Sequence, residues 1–224
     1  MTARIIIRNA AQLVCVATRN EHVKRGRDMN ALAIIEDGAI VIEEERISWV
    51  GRTADLTTAL DHAEEVDAKG KVVLPGLIDS HTHLLFAGSR EDEFEQRLQG
   101  KSYQEIAAAG GGINATVQQV RRASREELKT LARPRLARFL ECGVTTIEVK
   151  SGYGLSLADE LKCLEVIAEL NAEGPTELVA TFLGAHAVPP EFRADREGYL
   201  RLLLHEMLPE VARRRLAEFC DVFC

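Results

Sequence analysis

The chain has 224 residues, of which 46% are hydrophobic, and it carries a formal net charge of −7 at pH 7. A chain of this length and apolar content can bury a sizeable core, so we expect a globular protein, and the acidic balance disfavours nucleic acid or an anionic membrane as a partner. The five cysteines are odd in number and include no C-x-x-C spacing. They disfavour a disulfide framework, favour a reducing cytoplasm and are interpreted mostly as core residues.

Residues 1–71 are predicted to form a small, sandwich-like antiparallel β domain. Two segments, RIIIRNAAQLVCVA and LAIIEDGAIVIEEERISWVG, have the short apolar runs of strands, and Asp37-Gly38 lies between apolar segments as a hairpin turn would. The acidic run at 43–45 is interpreted as the solvated face of this hairpin. Arg8 and Asn9 interrupt the first apolar run, so we predict no targeting segment, and we find no apolar stretch of the roughly 18 residues that a membrane helix requires.

From residue 72 to 224 the pattern alternates between strands and helices. Strands are predicted at VVLPGLID, VTTIEV, ELVATFLGA and EFCDVFC. One helix is predicted to begin near Ser124, where SREE forms a capping box with Glu127, and a second follows the capping sequence SLAD. A third helix spans roughly 195–215, with a kink or break at Pro209. Repeated βαβ units make a parallel sheet, so the sequence predicts either an open doubly wound sheet or a barrel.

A loop is predicted after the first of these strands, and a helical stretch is predicted directly before the glycine run. The glycine run, AAAGGGINA, lacks the Gly-Lys-Ser/Thr of a phosphate-binding loop, and no G-x-G-x-x-G follows the strand. These patterns disfavour a Rossmann fold and a nucleotide phosphate site. We interpret the glycine run as a flexible or ligand-covering loop.

The segment LPGLIDSHTHLLF places two histidines, His81 and His83, at alternate positions after an apolar run. Alternate residues of a strand point to the same side, so the two imidazoles would face one point, and neutral imidazoles are good ligands for a divalent metal ion. For H-x-H alone, an equal alternative is a pair of polar residues that emerge at a surface. Asp79 shares the same strand face and is expected to orient a ligand rather than bind the metal.

Two later strands also end in polar residues, and ligands of parallel α/β folds bind at the carboxyl ends of the strands. The motifs KSGYG and GAH add Lys150, Tyr153 and His186 to this edge, which supports the metal interpretation of H-x-H. Lys150 is either catalytic or an ion-pair partner of Glu148, and Tyr153 is either functional or a loop anchor. His186 is expected near the substrate or the metal. Three other histidines lack this context and are predicted to have no function: His22, His62 and His205.

Several motifs resemble those of a known enzyme family. PGLIDSHTH resembles the first-strand signature of the metal-dependent amidohydrolases, whereas FAGSREDEF, RLQGKSYQEIAAAGGGINATV, EVKSGYGL and FLGAHAVP together resemble the imidazolonepropionase family. The resemblance, which runs from about residue 30 onward, implies a (β/α)₈ barrel beside the small β domain, with one zinc or iron ion held by His81 and His83. The implied reaction is hydrolysis of the ring C–N bond of 4-imidazolone-5-propanoate to N-formimidoyl-L-glutamate, in histidine degradation.

Carried over by position, the resemblance implies roles for three more side chains. Arg90 would bind the propanoate carboxylate, because the guanidinium fork matches a carboxylate. Without the resemblance, Arg90 would be interpreted as a surface ion pair with Glu91 or Asp92. Tyr153 and His186 would hydrogen-bond the imidazolone ring and its carbonyl, and His186 is the implied catalytic residue of this stretch.

A complete barrel takes roughly 250 residues, more than the chain has after residue 71. We therefore expect an α/β fold in which residues 72–224 are the first half of a (β/α)₈ TIM-type barrel, with the remaining metal ligands and the general base beyond Cys224 and no activity in these residues alone. Two alternatives remain, namely another cyclic amidohydrolase or deaminase of the superfamily, and a non-catalytic truncated module. The expected partners are a small-molecule substrate and a second copy in a homodimer, without nucleic acid or membrane, in the cytoplasm.

Overall fold

The computed structural model describes three ranges of the chain, residues 4–16, 23–57 and 63–223. Contacts divide the chain into two compact units, Met1–Pro75 and Gly76–Cys224. Three residues that the sequence interpretation mentions lie outside the described ranges: His22, His62 and Cys224.

A β-sheet forms the first unit. Its strands are β1 (Arg4–Val14), β2 (Ile34–Glu43), β3 (Arg46–Arg52), β4 (Glu64–Asp67) and β5 (Val72–Val73), and short 3₁₀ turns lie at Gly26–Asn30 and Thr53–Asp55. The strands are ordered β3-β2-β1-β4, and β5 also pairs with β1. Ala10 and Leu13 of β1 pack with Ile40 of β2 and with Ala68 in a small buried core.

The sheet of the first unit is mixed, whereas the sequence predicted an antiparallel one. β2 pairs antiparallel with β1 and β3, but β4 and β5 both pair parallel with β1. Val72–Val73, which was predicted to begin the first barrel strand, therefore belongs to this sheet. Pro75 lacks a backbone N–H group and cannot extend a hydrogen-bonded strand in the usual way, so the apolar run VVLPGLID is divided between the two units.

The hairpin turn predicted at Asp37-Gly38 is wrong. β2 runs through these residues, and the turn that joins β2 to β3 consists of Glu44 and Glu45, which are exposed. A Cβ atom at Gly38 would lie 2.3 Å from the Cβ atom of Leu13, so glycine is needed where β1 and β2 approach closely. The dipeptide therefore marks a close strand contact, which sequence alone does not distinguish from a turn.

Alternating strands and helices form the second unit. Its strands are β6 (Leu77–Thr82), β7 (Val144–Lys150), β8 (Glu177–Ala185) and β9 (Phe219–Val222). Its helices are α1 (Glu91–Leu98), α2 (Tyr103–Ala108), α3 (Ile113–Arg122), α4 (Arg125–Glu141), α5 (Leu157–Glu173), α6 (Arg196–Leu202) and α7 (Leu208–Arg214). The strands pair in the order β6-β7-β8-β9 and are all parallel, so this unit is an α/β half-barrel.

Local capping explains where α4 and α5 begin. Ser124 caps α4, and its side chain together with the Glu127 carboxylate makes the predicted capping box. Ser156 caps α5 by accepting a hydrogen bond from the backbone N–H of Asp159. The third predicted helix is divided into α6 and α7 by a π-helical turn at Leu203–Met207, next to Pro209 in the first turn of α7.

Helices α1, α2 and α3 lie between β6 and α4, where the sequence predicted a loop and one helical stretch before the glycine run. α1 buries none of its side chains and so lacks a buried apolar face, whereas α3 buries Thr116, Val117 and Val120 but begins at Gly112 without the side-chain cap that marks a helix start in a sequence. Only the middle of the glycine run, residues 109–112, lies in the connection between α2 and α3, and its two ends belong to these helices.

The cysteines are less buried than predicted. Cys163 is buried and Cys15 half-buried, but Cys142 and Cys220 are exposed, and these four form no disulfide. Burial raises the pKa of the Cys163 thiol, which keeps it protonated at neutral pH. Among the helices of the described ranges, none combines the length and the apolar content needed to cross a membrane.

Candidate active site

The histidine motif lies at the carboxyl end of the first half-barrel strand. His81 is in β6, and His83 follows directly after its last residue. The Thr82 hydroxyl donates to the carbonyl oxygen of Glu148 in β7 at 2.7 Å, which holds the strand end against its neighbour. The backbone N–H of His81 donates to the Asp79 carboxylate at 3.2 Å, so Asp79 holds the main chain of a candidate ligand residue.

Four aromatic rings from three strand ends form one cluster. The ring centroids of His83 and His186 are 4.9 Å apart and the rings are stacked, with an interplanar angle of 7°. Tyr153 lies 4.9 Å from His83 and 5.3 Å from His186, and His81 lies 5.9 Å from His83 in an edge-on arrangement. The structure therefore brings together the residues that the sequence placed at one edge of the sheet. We call these four residues the ring cluster.

The His83 ring has two properties that suit a metal ligand. Its Nδ1 atom is buried and has no hydrogen-bond partner among the described residues. Burial, followed by the neighbouring charges of His186 and His81, lowers the pKa of His83 to about 4, so its ring is neutral at pH 7. A neutral imidazole with an unsatisfied nitrogen fits a metal ion. His81 and His83 are an incomplete set, because catalytic zinc usually has three protein ligands and the described residues contain no cluster of three candidates.

His186 is held by the loop that carries Tyr153. The loop consists of residues 151–155, between β7 and α5, and its Gly152 carbonyl oxygen lies 2.9 Å from the Nδ1 atom of His186. A carbonyl oxygen only accepts hydrogen bonds, so Nδ1 carries the proton. Burial raises the pKa of Tyr153, which keeps the phenol protonated and able to donate a hydrogen bond.

Arg90 lines a small cavity beside this cluster. The cavity has a volume of about 240 Å³ and also contacts Glu93, Phe94, Arg97 and Tyr103. The Arg90 guanidinium donates from Nε to the Glu93 carboxylate at 2.8 Å, and its Nη2 lies 2.7 Å from the same oxygen. The sequence suggested Glu91 or Asp92 as the ion-pair partner of Arg90. The structure shows Glu93 instead, because helix α1 brings a residue three positions along the chain next to the guanidinium.

Arg90 is also close enough to Tyr153 for their charges to interact. Burial raises the pKa of the Tyr153 phenol, the positive charge of Arg90 opposes that increase, and Tyr103 adds to it. Arg90 and Tyr103 are thus both close enough to Tyr153 to change its pKa. Tyr103 was not selected from the sequence, where its only signal was its place within the motif RLQGKSYQEI.

Lys150 belongs to an ion-pair network inside the half-barrel. Its Nζ atom donates to Glu148 at 2.7 Å and to Asp221 of β9 at 2.9 Å, and the Thr181 hydroxyl donates to the same Glu148 oxygen at 2.6 Å. The predicted ion pair with Glu148 is therefore present. Its second partner, Asp221, was missed because β9 is distant in sequence. His205 is exposed in the π-helical turn, apart from the ring cluster.

Comparisons with known proteins agree with this geometry. The model of an amidohydrolase family matches residues 64–119. An imidazolonepropionase of Shouchella clausii is 46% identical over all of this chain and 51% of its own length, and one of Geobacillus thermodenitrificans is 51% identical over 98% of this chain and 53% of its own length. A third, from Solibacter usitatus, is 52% identical over 96% and 52% respectively.

This chain is similar to imidazolonepropionases along nearly its whole length. It spans about half the length of the curated imidazolonepropionases that it matches.

Solved structures support the fold of this chain. A guanine deaminase from Bradyrhizobium japonicum superposes with a TM-score of 0.60 at 18% identity, over 94% of this chain and 41% of that protein. A 5-methylcytosine deaminase from Klebsiella pneumoniae gives a TM-score of 0.55 at 16% identity, over 98% and 51%. At such identities the likeness concerns the fold alone, and it supports the α/β half-barrel that was predicted from sequence.

Proposed function

We propose that the protein hydrolyses the ring C–N bond of 4-imidazolone-5-propanoate to N-formimidoyl-L-glutamate, as the names of its relatives suggest. The observation that carries this proposal is the ring cluster with its unsatisfied His83 nitrogen, next to an arginine in a cavity. A small planar ring with an anionic side chain has matching partners in such a site, because the ring meets imidazole and phenol groups and the carboxylate meets the guanidinium.

Arg90 would bind the carboxylate of the substrate. Glu93 already occupies the Nε–Nη2 edge of the guanidinium, so we assign the carboxylate to the Nη1–Nη2 edge, where two parallel hydrogen bonds can form. Glu93 is itself fixed by a hydrogen bond from the backbone N–H of Gly112 at 2.8 Å. The pair thus holds the Arg90 side chain in position before the substrate arrives.

Tyr153 and His186 would orient the imidazolone ring. The protonated Tyr153 phenol can donate to the ring carbonyl, while His186, with its proton on Nδ1, presents Nε2 to the ring. We assign His186 a catalytic role in this stretch of the chain, as the residue that exchanges a proton with the substrate. The partial burial of His83 and Tyr153 excludes part of the solvent from this cluster.

His81 and His83 would hold a metal ion, zinc or iron, as two members of its ligand set. When bound, such an ion supplies a Lewis acid that lowers the pKa of a water molecule and polarises a carbonyl group. The neutral state of the His83 ring suits this role, because only unprotonated imidazole nitrogens bind metals.

The proposal is tested with the full-length protein and a panel of cyclic substrates. We expect the loss of imidazolone-propanoate to be catalysed, with formation of N-formimidoylglutamate detected by mass spectrometry. Hydantoin, dihydropyrimidine, guanine and cytosine are the comparison substrates, since related amidohydrolases act on rings of this kind. Turnover of one of these without turnover of imidazolone-propanoate would contradict the proposed substrate and favour a different cyclic amidohydrolase or deaminase.

We also propose that the protein acts in the cytoplasm, as a homodimer, on a small molecule and without nucleic acid or membrane. Free cysteines at 15, 142, 163 and 220 are compatible with a reducing compartment. Sedimentation of the full-length protein measures the oligomeric state, and a monomer at micromolar concentration would contradict the dimer.

A further inference from the structure

A buried carboxylate lies directly behind the loop that carries Tyr153. Glu160, in the first turns of α5, is fully buried, and its two oxygens accept hydrogen bonds from three backbone N–H groups of that loop. The donors are Gly152 at 3.1 Å, Gly154 at 2.8 Å and Leu155 at 2.8 Å. Burial raises the pKa of Glu160, and these donors, with the Ser151 hydroxyl, oppose that increase. Such burial is costly, so a role in fixing the loop is the physical explanation for this residue.

The carbonyl groups of the same loop are held from the opposite side. Arg121 of α3 donates from Nε to the Gly154 carbonyl oxygen at 2.7 Å and from Nη2 to that of Leu155 at 3.0 Å. Leu155 is fully buried and has φ of +50°, a left-handed conformation that a leucine adopts only when its surroundings impose it. Glu160 and Arg121 together supply that constraint, and we call them the loop clamp.

The clamp reaches the ring cluster through Gly152. This residue has φ of +104°, and an added Cβ atom would lie 2.6 Å from the Leu183 carbonyl oxygen and 2.9 Å from the His186 Cβ atom. The N–H of Gly152 is bound to Glu160, and its carbonyl oxygen accepts from Nδ1 of His186. Gly152 thus links the Glu160 carboxylate to the His186 ring, and its carbonyl oxygen determines which ring nitrogen carries the proton.

We propose that Glu160 is a positioning residue that, through the 151–155 loop, aims Tyr153 and fixes the proton of His186 on Nδ1, so that Nε2 faces the substrate as a hydrogen-bond acceptor. This inference rests on the proposed function only for the identity of the substrate. The assignment of the His186 proton follows from the loop geometry and is measurable without turnover.

The first test is kinetic and uses Glu160→Gln in the full-length, metal-loaded protein. The glutamine oxygen can still accept from Gly154 and Leu155, but its NH₂ group faces the N–H of Gly152, so the bond closest to His186 is lost. We expect kcat/KM to fall on the order of 10- to 100-fold, with most of the loss in kcat and an unchanged metal content. Glu165→Gln, on the same helix in a surface ion pair with Arg125 and Arg214, is the matched control and is expected to retain wild-type kinetics.

A double-mutant cycle separates positioning from general destabilisation. In a His186→Ala background, Glu160→Gln is expected to reduce kcat/KM by a smaller factor than in the wild-type protein, because only its effect on Tyr153 remains. An equal loss in both backgrounds, or a kcat/KM of Glu160→Gln within about twofold of wild type, would overturn the proposal. Arg121→Met, which removes the donors to the loop carbonyls and also the ion pair with Glu191, is expected to show the same dependence on His186.

The second test is spectroscopic and does not depend on catalysis. Nitrogen NMR of histidine-labelled, zinc-loaded wild-type protein, assigned by comparison with His186→Ala, should show a protonated Nδ1 and an unprotonated Nε2 at mildly alkaline pH. A proton on Nε2 instead would overturn the proposal even if imidazolone-propanoate is the substrate. Conversely, an inactive wild-type protein with the expected spectrum would contradict the proposed function and leave the positioning role of Glu160 supported.

Discussion

Two charge-rich regions of the half-barrel differ in how completely their polar atoms are paired. Between α4 and α5, the Lys129 ammonium lies 2.6 Å from a Glu173 oxygen and 3.2 Å from one of Glu169, while Arg125 and Arg133 pair with the same helix. At the carboxyl ends of the strands, by contrast, the buried Nδ1 of His83 has no partner among the described residues. The charged groups named in the first region all have partners, whereas the second region contains a buried nitrogen without one. We call the first the complete region and the second the incomplete region.

The difference supports the proposed location of the binding site at the strand ends. Nearly all buried polar atoms in folded proteins are hydrogen-bonded, so an exception is expected where a metal, substrate or water belongs. The interhelical ion pairs repeat every four residues on both helices, which is the spacing of one helical face and explains them without function. Charge density alone therefore does not identify a site, whereas the unpaired nitrogen of the buried, neutral His83 ring supports the proposed one.

The largest expected effect comes from the incomplete region. His83→Ala or His81→Ala in the full-length protein is expected to reduce bound metal well below one equivalent and turnover by more than about 100-fold, because each removes a proposed ligand. Metal analysis by mass spectrometry and a turnover assay measure both quantities on the same samples.

The control for this prediction is His205→Ala. It removes an imidazole that is exposed in the π-helical turn, so both metal content and turnover should stay at wild-type values. Full metal retention in the two H-x-H variants would remove these histidines from the metal site and would make His83 an unexplained unpaired group.

A smaller effect is expected at the edge of the site. Arg90→Ala should raise KM for imidazolone-propanoate by roughly 30-fold, equivalent to about 2 kcal/mol, with metal content unchanged. We choose the low end of the range for charged pairs because the Arg90 side chain is 41% exposed. Arg138→Ala, which breaks only a surface pair with Glu141, is the matched control. An unchanged KM would leave Arg90 as a partner of Glu93 alone.

The sequence predicted those parts of the fold that are specified by neighbouring residues. The Ser124 and Ser156 caps set the starts of α4 and α5, and both are visible within four residues of sequence. The close contact at Gly38 depends on Leu13, which is distant in the chain, and so the same dipeptide was misinterpreted as a turn. α1 was missed because it buries no side chain and therefore shows no apolar period.

The residues of the candidate site can also be divided into those that the sequence predicted and those that it did not. His81, His83 and His186 were predicted because the ends of parallel strands meet at one edge, a rule that needs only the order of elements. The local partner of Arg90 was wrong because a helix brings Glu93, and not the adjacent acids, to the guanidinium. Glu160 was missed because a glutamate within a helix is ordinarily solvated, and only the folded loop shows that it is buried.

Substitutions in the complete region should change the stability of the protein and leave its activity unchanged. Ser124→Ala removes the hydroxyl that accepts from the backbone N–H of Glu127, and it should lower the free energy of unfolding by about 1 kcal/mol with turnover unchanged. Thr130→Ala, at an exposed position inside α4, is the control and should cause no loss, because alanine favours helix. Urea unfolding measures the difference, and a change in kcat would contradict a purely structural role.

The same variant has an expected pH dependence. Hydrogen bonds from the Ser124 backbone N–H and hydroxyl hold the pKa of Glu127 below its ordinary value. Stability from a carboxylate with a lowered pKa is present above its unfolded-state pKa and is lost as pH falls through the folded-state pKa. The part of the Ser124→Ala difference that comes from the hydroxyl bond to the carboxylate should therefore disappear in acid. A difference that grows on acidification would contradict this account of the cap.

The smallest effect is expected for Lys129→Met, which keeps the apolar stem and removes the ammonium. Glu169 and Glu173 remain paired with Arg125 and Arg133, and the third partner, Glu126, is an exposed carboxylate that water can solvate. The melting temperature should fall less than in Ser124→Ala, and the difference should vanish at about 1 M salt, where exposed charges are screened. A loss larger than that of the cap variant, or one that persists in salt, would show that this ammonium is needed by groups other than its visible partners, and that complete pairing does not mark a region as merely structural.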